Sequence, residues 1–422
     1  MKRYDEYKET EIPWLNSMPA HWEEKRAKYL FKKENRLPEE NAEVITCFRD
    51  GTVTLRKNRR TTGFTESLKE IGYQGIKKGD LVIHQMDAFA GSSGVSDSDG
   101  KGTPVYSVCT PIVEDVNTSY FAKVVRYMGL NGFIQSLYRG IRERSSDFRF
   151  DTFARQILPL PPLPEQEKII SYLESKTLYI DAYVAERERE LQLLNELKQS
   201  EIASVVTRGL NPDVKMKESK NSLLGVVPAH WEEMKIKYCF TERSEKNHPD
   251  EPILCATQSH GVIPQSMYQN RVVVVNKGFE GLKFVKVGDF VISLRSFEGG
   301  IEYAYYQGII SAAYTILTPK DVAFADYFKL LFKSQPFIQV LQTCVTGIRE
   351  GQNINYQMLS RKFIPIPPLE EQRAIVSYIE DKCNKISSLI SELEAEIEYL
   401  KEYKQSLIAA CVTGQINVLS EK

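Results

Sequence analysis

Cysteine pairs, long apolar runs and an excess of basic charge are all missing from this sequence. Its seven cysteines (Cys47, Cys109, Cys239, Cys255, Cys344, Cys383 and Cys411) never lie closer than 16 residues apart. An odd number with no Cys-x-x-Cys pair argues against a zinc ligand set and a disulfide framework, so reduced, packed thiols are expected. No stretch approaches the roughly 18 apolar residues of a membrane span, and Met1 to Glu11 is charged throughout. Neither a transmembrane helix nor a signal peptide is expected, and the expected location is cytoplasmic. Lys and Arg total 55 against 56 Asp and Glu, a net charge of −1. Taken alone, that balance argues against a nucleic-acid partner, because phosphate binding shows as a basic excess. What is present is ordinary globular composition, 42% hydrophobic and 10% aromatic over 422 residues. That length suits about two to three domains.

The chain is a tandem repeat. Pro19-Ala-His-Trp-Glu-Glu24 recurs letter for letter as Pro228-Ala-His-Trp-Glu-Glu233, an offset of 209. The same offset carries Lys28-Tyr29 onto Lys237-Tyr238, and Gly79-Asp-Leu-Val-Ile83 onto Gly288-Asp-Phe-Val-Ile292. Gly140-Ile-Arg-Glu143 recurs as Gly347-Ile-Arg-Glu350 at 207. From Leu158-Pro-Leu-Pro-Pro-Leu-Pro-Glu-Gln166 and Ile364-Pro-Ile-Pro-Pro-Leu-Glu-Glu-Gln372 onward the offset is 206, through Lys198-Gln-Ser200 and Lys404-Gln-Ser406.

Each copy has two parts of different periodicity. The first, about 150 residues, mixes short β-branched runs with Gly and Asp turns and a few helical stretches, the pattern of a mixed α/β (α+β) head. The second opens on a Pro-rich segment and then runs about 42 residues free of Gly and Pro, one long helix. Steps of four and three place Ile379, Cys383, Ile386, Ile390, Leu393, Ile397, Leu400, Lys404, Leu407 and Cys411 on one seam. Shifted by 206, the series reads Leu173, Thr177, Ile180, Val184, Arg187, Leu191, Leu194, Lys198, Glu201 and Val205, weaker but in phase. At about 1.5 Å per residue such a helix is about 60 Å long and overhangs a head about 38 Å across. A head that small cannot bridge the helix ends it connects, which makes the pair antiparallel. The expectation is a pseudo-two-fold dumbbell: heads at 1–158 and 213–363, helix regions at 159–212 and 364–422.

The charge is unevenly spread. Met1 to Pro164 carries +3 and Leu223 to Leu369 +2, whereas the helix segments between and after them carry −2 and −4. In the first head Arg56, Lys57, Arg59 and Arg60 fall within five residues, a composition suited to phosphate contacts but also to a solvated loop. In the second head the polar residues Gln258, Gln265 and Arg271 stand out instead. After each Gly-Asp strand comes a Gly-rich polar loop, with His84, Gln85, Ser92 and Ser93 in one head and Arg295 in the other. Near each head's end, Arg142 and Arg144, then Arg349, Gln352 and Asn353, are types that pair with base edges in the major groove. Each of these could equally be a surface turn.

Pro-x-His-Trp, then Gly-Asp-x-Val-Ile, then x-Pro-x-Pro-Pro-Leu-x-Glu-Gln leading into a long helix, all occurring twice, resembles the specificity subunit of type I restriction-modification systems. The match covers nearly the whole chain. The resemblance implies that each head is a target recognition domain reading one half of a bipartite, asymmetric site in double-stranded DNA. It implies that the paired helices set the spacer and dock two copies of the adenine methyltransferase (modification) subunit, with restriction subunits joining. It implies no cofactor on this chain, with S-adenosylmethionine, Mg and ATP on the partner subunits only. Heads on one face of a duplex should sit about a helical turn apart, roughly 34 to 36 Å. With head charges of only +3 and +2, modest DNA affinity is expected from the chain alone.

Catalysis by the chain itself is not expected. The only Pro-Pro pairs lie between Leu160 and Leu163 and between Ile366 and Leu369, so the Asn/Asp-Pro-Pro-aromatic motif of an amino-methyltransferase is missing. Gly100-Lys101-Gly102 lacks the spacing and the Ser/Thr of a phosphate loop. Pro212-Asp213 with Glu233-x-Lys235 mimics a nuclease pattern that the other copy lacks. His21 and His230 read as packing elements beside their tryptophans. The alternative reading is a coiled-coil scaffold that binds proteins only, for which the acidic helices speak.

Overall fold

Two uninterrupted helices, Leu163–Arg208 and Leu369–Val412, occupy the segments free of interior Gly and Pro, with Pro164 and the acids Glu165, Glu370 and Glu371 in their first turns. Proline tolerates the first turn and acids complement the helix dipole there. The computed structural model describes residues 2–59, 71–137, 148–268, 278–347 and 353–420. The chain divides into two units, residues 1–186 with 396–422 and residues 187–395. Each unit thus holds one head, the first half of the helix that follows it, and the last half of the other long helix.

In unit 1 a four-stranded antiparallel sheet runs in the order Phe31–Lys33, Tyr106–Pro111, Leu81–His84, Ser93–Val95. Unit 2 repeats it as Phe240–Arg243, Thr315–Pro319, Phe290–Ile292, Glu302–Tyr303. The amphipathic helix Thr118–Leu130 covers the first sheet, burying Tyr120, Phe121, Val124, Val125 and Met128. In unit 2 the covering element breaks into Ala325–Lys333 and Gln335–Gln342, with Pro336 in the first turn of the second piece. Rings fill the space beneath: Phe240 meets Phe290 and Phe328 edge to face at 5.6 and 5.3 Å between centroids.

The Gly-Asp motif is a structural turn. Gly79 and Gly288 sit at φ 91° and 92°, where a side chain would be strained. The next residue, Asp80 or Asp289, is buried and accepts the backbone N–H of Lys77 at 2.7 Å or of Lys286 at 2.8 Å. A guanidinium closes each site, Arg36 on Asp80 (Nη2 to Oδ1, 3.1 Å) and Arg243 on Asp289 (Nε to Oδ2, 3.0 Å).

The His-Trp and Pro-rich motifs, over 130 residues apart, meet as neighbouring strands. Glu23–Arg26 pairs antiparallel with Ile157–Leu160, and Glu232–Lys235 with Phe363–Ile366. Their side chains then converge on the Glu-Gln pair that opens each long helix. Glu165 accepts from His21 Nε2 at 2.8 Å, from Trp22 Nε1 at 3.1 Å and from the Tyr4 hydroxyl. Burial, then Glu165 itself, pushes the Tyr4 phenol far above its ordinary range, so it stays a donor. In unit 2 His230 Nε2 meets Glu371 at 2.9 Å, while Asp213 stands at the Tyr4 position and the buried Trp231 Nε1 has no partner among the described residues. His21 and His230 therefore serve in head-to-helix fastening.

The buried Gln166 makes three bonds: Oε1 accepts Asn117 N at 2.8 Å, and Nε2 donates to Asp115 O at 2.9 Å and Pro161 O at 2.8 Å. Gln372 repeats all three with Phe324 N, Val322 O and Pro367 O at 3.0, 3.2 and 2.8 Å. The covering helix of each head also grips the end of the helix that arrives from the other copy. Tyr120 donates to Val412 O at 3.0 Å in unit 1, and Tyr327 to Val206 O at 2.7 Å in unit 2. The residues after Val412 continue onto the N-terminal arm: Tyr7 donates to Gly414 O at 2.9 Å and Asn417 N to Lys2 O at 2.9 Å.

Within each unit the two helix halves run antiparallel. In unit 1 Lys404 pairs with Asp181 at 2.6 Å and Tyr183 donates to Glu396 at 3.0 Å. In unit 2 Lys198 donates to Ser387 at 2.8 Å and Tyr378 to Glu201 at 2.7 Å. The heptad series is the sequestered one. Leu173, Val184, Val205, Ile379, Ile386, Leu393, Ile397, Leu407 and Cys411 are buried; Ile180, Leu191, Leu194, Ile390 and Leu400 are half-buried. Thr177, Arg187, Lys198 and Glu201 also hold half-buried seam positions, so the weaker first series is in register.

Two stability predictions follow this geometry. Leu393→Ala should destabilise the chain by about 2 to 4 kcal/mol in urea denaturation, whereas Leu389→Ala, at a position 49% exposed, should change it by less than about 0.5 kcal/mol. Gln372→Ala, which strands three backbone groups, should cost about 3 kcal/mol or more; a loss no larger than that of Leu389→Ala would show that the glutamine fastens nothing.

Candidate nucleic-acid interface

In unit 1 the hairpin of Ile45–Cys47 and Val53–Leu55 carries its tip beside the loop that follows strand Leu81–His84. Arg126, on the covering helix, ties them: its Nη1 donates to the carbonyl of Arg49 at the tip and, at 2.5 Å, to that of Gly91 in the loop. Charged side chains collect on the outer surface. Arg49 Nη2 lies 3.0 Å from Asp87 Oδ1, Arg59 Nη1 lies 2.6 Å from Asp50 Oδ2, and the Arg59 guanidinium sits 4.6 Å over the Phe48 ring.

Among the described residues, the contact residues expected in unit 1 fall into three groups. Lys57 and Arg59 are exposed but already paired, Lys57 with Glu43, and Arg56 is half-buried in the turn Arg56–Asn58. His84 and Gln85 are half-buried. His84 Nδ1 accepts the backbone N–H of Met86 and Asp87 at 3.3 and 3.2 Å, and burial holds its pKa below the ordinary value, which fits a neutral ring capping the turn. Ser92 and Ser93 are buried at 1% exposure, and Ser93 pairs with Ile83 in the sheet. The end of that Gly-rich loop is therefore sheet interior, a correction to its reading as open recognition surface. Arg60, Arg142, Arg144, Arg271, Arg349 and Gln352 lie outside the described residues.

In unit 2 the hairpin of Leu254–Thr257 and Gly261–Pro264 takes the same place, with the exposed Gln258 at its tip. Lys333, at the Arg126 position, donates to Gln258 O at 3.3 Å and Gly299 O at 2.9 Å, and reaches Glu302 Oε1 at 2.6 Å. Arg295 is exposed just before the turn of helix Ser296–Gly299. Gln265 is half-buried in the turn Gln265–Met267, and Asn353 pairs with Thr346 in a two-residue ladder. So the structure brings Gln258 together with the loop that carries Arg295, and leaves Gln265 and Asn353 in other elements. Of the nuclease-like pattern, Glu233 Oε1 accepts Ser219 Oγ at 2.6 Å and Lys220 N at 3.0 Å, fastening the segment that follows the strand Met216–Glu218. Gly100–Gly102 is a strand paired with Gln74–Ile76.

Residues 228–399 match the family model described as the type I restriction modification DNA specificity domain. Residues 228–399 carry a type I restriction-modification DNA specificity domain. The chain is 27% identical over 274 residues, 62% of this chain and 59% of the relative, to a Methanocaldococcus jannaschii protein named as the type I restriction enzyme MjaX specificity subunit. It is 22% identical over 331 residues, 72% of this chain and 67% of the relative, to the type I restriction enzyme EcoBI specificity subunit of Escherichia coli. The match thus spans less than two thirds of the first relative's own length. Among solved structures, one described as bearing on complex assembly and conformational transition of the type I R-M system has a TM-score of 0.66 at 16% identity, covering 94% of this chain and 99% of that one. The HsdS subunit from Thermoanaerobacter tengcongensis has a TM-score of 0.51 at 17% identity, covering 94% and 98%. These likenesses show the mixed α/β fold with two long helices.

Several surface residues of the specificity domain and of its unit 1 counterpart escaped sequence reading. Arg49, Arg126 and Lys333 are single basic residues in unremarkable strings, and only the tertiary fold joins them at the hairpin tips and Gly-rich loops; Lys329 reaches the Tyr303 and Tyr305 rings in the same way. Arg26, Lys28, Lys32 and Lys33 form an exposed basic run from the strand Glu23–Arg26 through the turn Ala27–Tyr29 to the strand Phe31–Lys33. The repeated Lys-Tyr pair was a usable signal. Tyr29 and Tyr238 are 54% and 58% exposed, each under its neighbouring lysine, with Nζ 4.8 and 5.0 Å from the ring centroid.

Glu302 of the specificity domain is 1% exposed, and burial pushes its carboxyl up to about 7 against the pull of Lys333. The folded chain then holds a proton that the unfolded chain releases near 4.5, so this group's stabilising share falls as pH rises from about 4.5 to about 7. Glu302→Gln should remove that slope. Between pH 4 and pH 8 the variant should gain on the order of 3 kcal/mol relative to the parent in urea titrations, the free energy of a shift of that size; equal pH dependence in both would contradict it.

Proposed function

We propose that the chain is the non-catalytic DNA-recognition subunit of a type I restriction-modification complex, each head reading one half of a bipartite, asymmetric site in double-stranded DNA. The observation that carries this reading is one frame bearing two different tips. Both units fasten a hairpin tip to a Gly-rich loop through a cation at the same place, Arg126 or Lys333. The side chains displayed there differ, Arg49, Arg59 and Asp87 in one head against Gln258 and Arg295 in the other. A shared scaffold with unlike polar tips suits two half-sites of unlike sequence.

The helices support the assembly part of the reading. Ser171, Glu174, Glu196, Gln199 and Ser200 are exposed, and their repeat counterparts Ser377, Glu380, Glu402, Gln405 and Ser406 are the same residue types and also exposed. Exposed positions gain nothing from packing, so identity in both copies fits one kind of partner docked twice, here two modification (methyltransferase) subunits. The paired helices then set the spacer between half-sites, restriction subunits join this complex, and S-adenosylmethionine, Mg and ATP belong to those partners.

A mobility-shift series with the chain assembled on its modification subunit tests the reading. Binding should favour one bipartite sequence, and inserting two base pairs between the half-sites should weaken it at least tenfold. Reversing Arg49, Lys57 and Arg59 to Glu should lower affinity and flatten its salt dependence while leaving assembly intact. Assembly lost with DNA binding unchanged would instead favour a protein-only scaffold.

A further inference from the structure

Unit 2 contains a cavity of about 830 Å³ between the hairpin tip, the helix Ala325–Lys333 and the long-helix residues Gln199 and Ile202. Its walls include Tyr303, Tyr305, Lys329 and Glu302. The volume is within the usual range for a small-molecule site. The equivalent space in unit 1 is about 290 Å³.

Glu302 is what the architecture does not account for. Its Oε1 takes the Lys333 ammonium at 2.6 Å, but Oε2 is buried and has no hydrogen-bond partner among the described residues. A buried acceptor left open asks for an explanation. The fold itself does not need the acid. Glu302 pairs across the sheet with Val291, and Gly94 pairs with Val82, the same residue of the repeated Gly-Asp-x-Val-Ile motif. In unit 1 Arg126 fastens tip to loop with a glycine there. The acid is thus an addition to the larger cavity, and once ionised its open oxygen calls for an N–H donor.

The other walls narrow the donor's chemistry. The Tyr303 and Tyr305 rings meet edge to face at 4.9 Å, and Tyr305 and the neighbouring Tyr306 are 46% and 41% exposed. The Lys329 ammonium lies 5.4 and 5.5 Å from the centroids of Tyr303 and Tyr305. Aromatic faces stack bases with little regard to sequence, a carboxylate accepts from an amino edge, and an ammonium meets phosphate. We propose that this cavity binds a nucleotide, its base against the tyrosine wall with an N–H edge on Glu302 Oε2 and its phosphate near Lys329. The nucleotide is either free or a base of a single strand. The site is specific to this head and does not depend on duplex recognition.

Calorimetric titration of the full chain with CMP, AMP and GMP, and separately with an eight-residue oligodeoxycytidine, tests it, with ribose 5-phosphate as the baseless control. Base-dependent binding should fall at least tenfold in Glu302→Gln and in the exposed-ring variant Tyr305→Ala, each checked for unchanged circular dichroism. Binding of the mononucleotides assigns a free ligand, and binding of the oligonucleotide alone assigns a base within a strand. Three results would overturn the proposal: neither ligand binding at millimolar concentration, ribose 5-phosphate binding equally well, or both variants binding as the parent does. Assembly with the modification subunit lost in the variants at unchanged nucleotide affinity would also overturn it, by assigning the cavity to a protein side chain. Because no arm uses duplex DNA, failure here leaves the mobility-shift result standing.

Discussion

The glutamine that opens each long helix, Gln166 or Gln372, is the contact on which each unit depends. A helix meeting a head at its first turn exposes unpaired N–H groups to an interior that water cannot reach. The side-chain amide has one acceptor and two donors, which suits it to join three backbone segments at once. Here it takes the N–H at the start of the covering element and gives to the carbonyls just before that element and just before its own helix. The preceding glutamate works outward from the same turn, collecting the histidine and, in unit 1, the tryptophan and a tyrosine. Three elements spread over more than 100 residues of sequence are thereby fixed in angle by two consecutive side chains, and the surface of the head inherits that angle.

The seam between helix halves is a different kind of constraint, tolerant where the Glu-Gln junction is strict. Hydrophobic burial is non-directional, so the second helix can carry most of the apolar seam while the first contributes Thr177, Arg187, Lys198 and Glu201 at half-buried positions. Long polar side chains lay their stems over the seam and send their heads to its edge, as Lys198 does toward Ser387 and Lys404 toward Asp181. Those polar pairs fix register, since each is satisfied at only one axial offset.

How far the sequence was legible follows from the range of the interactions. The helices, their register and the duplication are local or periodic signals and were readable residue by residue, down to the weak series Leu173 to Val205. The Gly-Asp turn was visible as a motif, but its partners Arg36 and Arg243 sit over 40 residues upstream, with nothing local to mark them. Ser92 and Ser93 read as loop because Gly and Ser dominate that string, yet sheet pairing with Ile83 draws Ser93 into the interior. Glu302 was invisible for the converse reason. A glutamate before three tyrosines and an alanine reads as a polar surface residue, and only the strand position opposite Val291 buries it.

The cation at the head of each cavity shows how one frame carries two different tips. Arg126 and Lys333 bind backbone carbonyls, not side chains, at the hairpin tip and in the Gly-rich loop. A carbonyl is present whatever residue stands there, so Arg49 in one head and Gln258 in the other are held by the same bond while their side chains stay free to differ. Backbone fastening separates the geometry of the tips from their side-chain chemistry, and the tips can then diverge between the copies without loss of the fold.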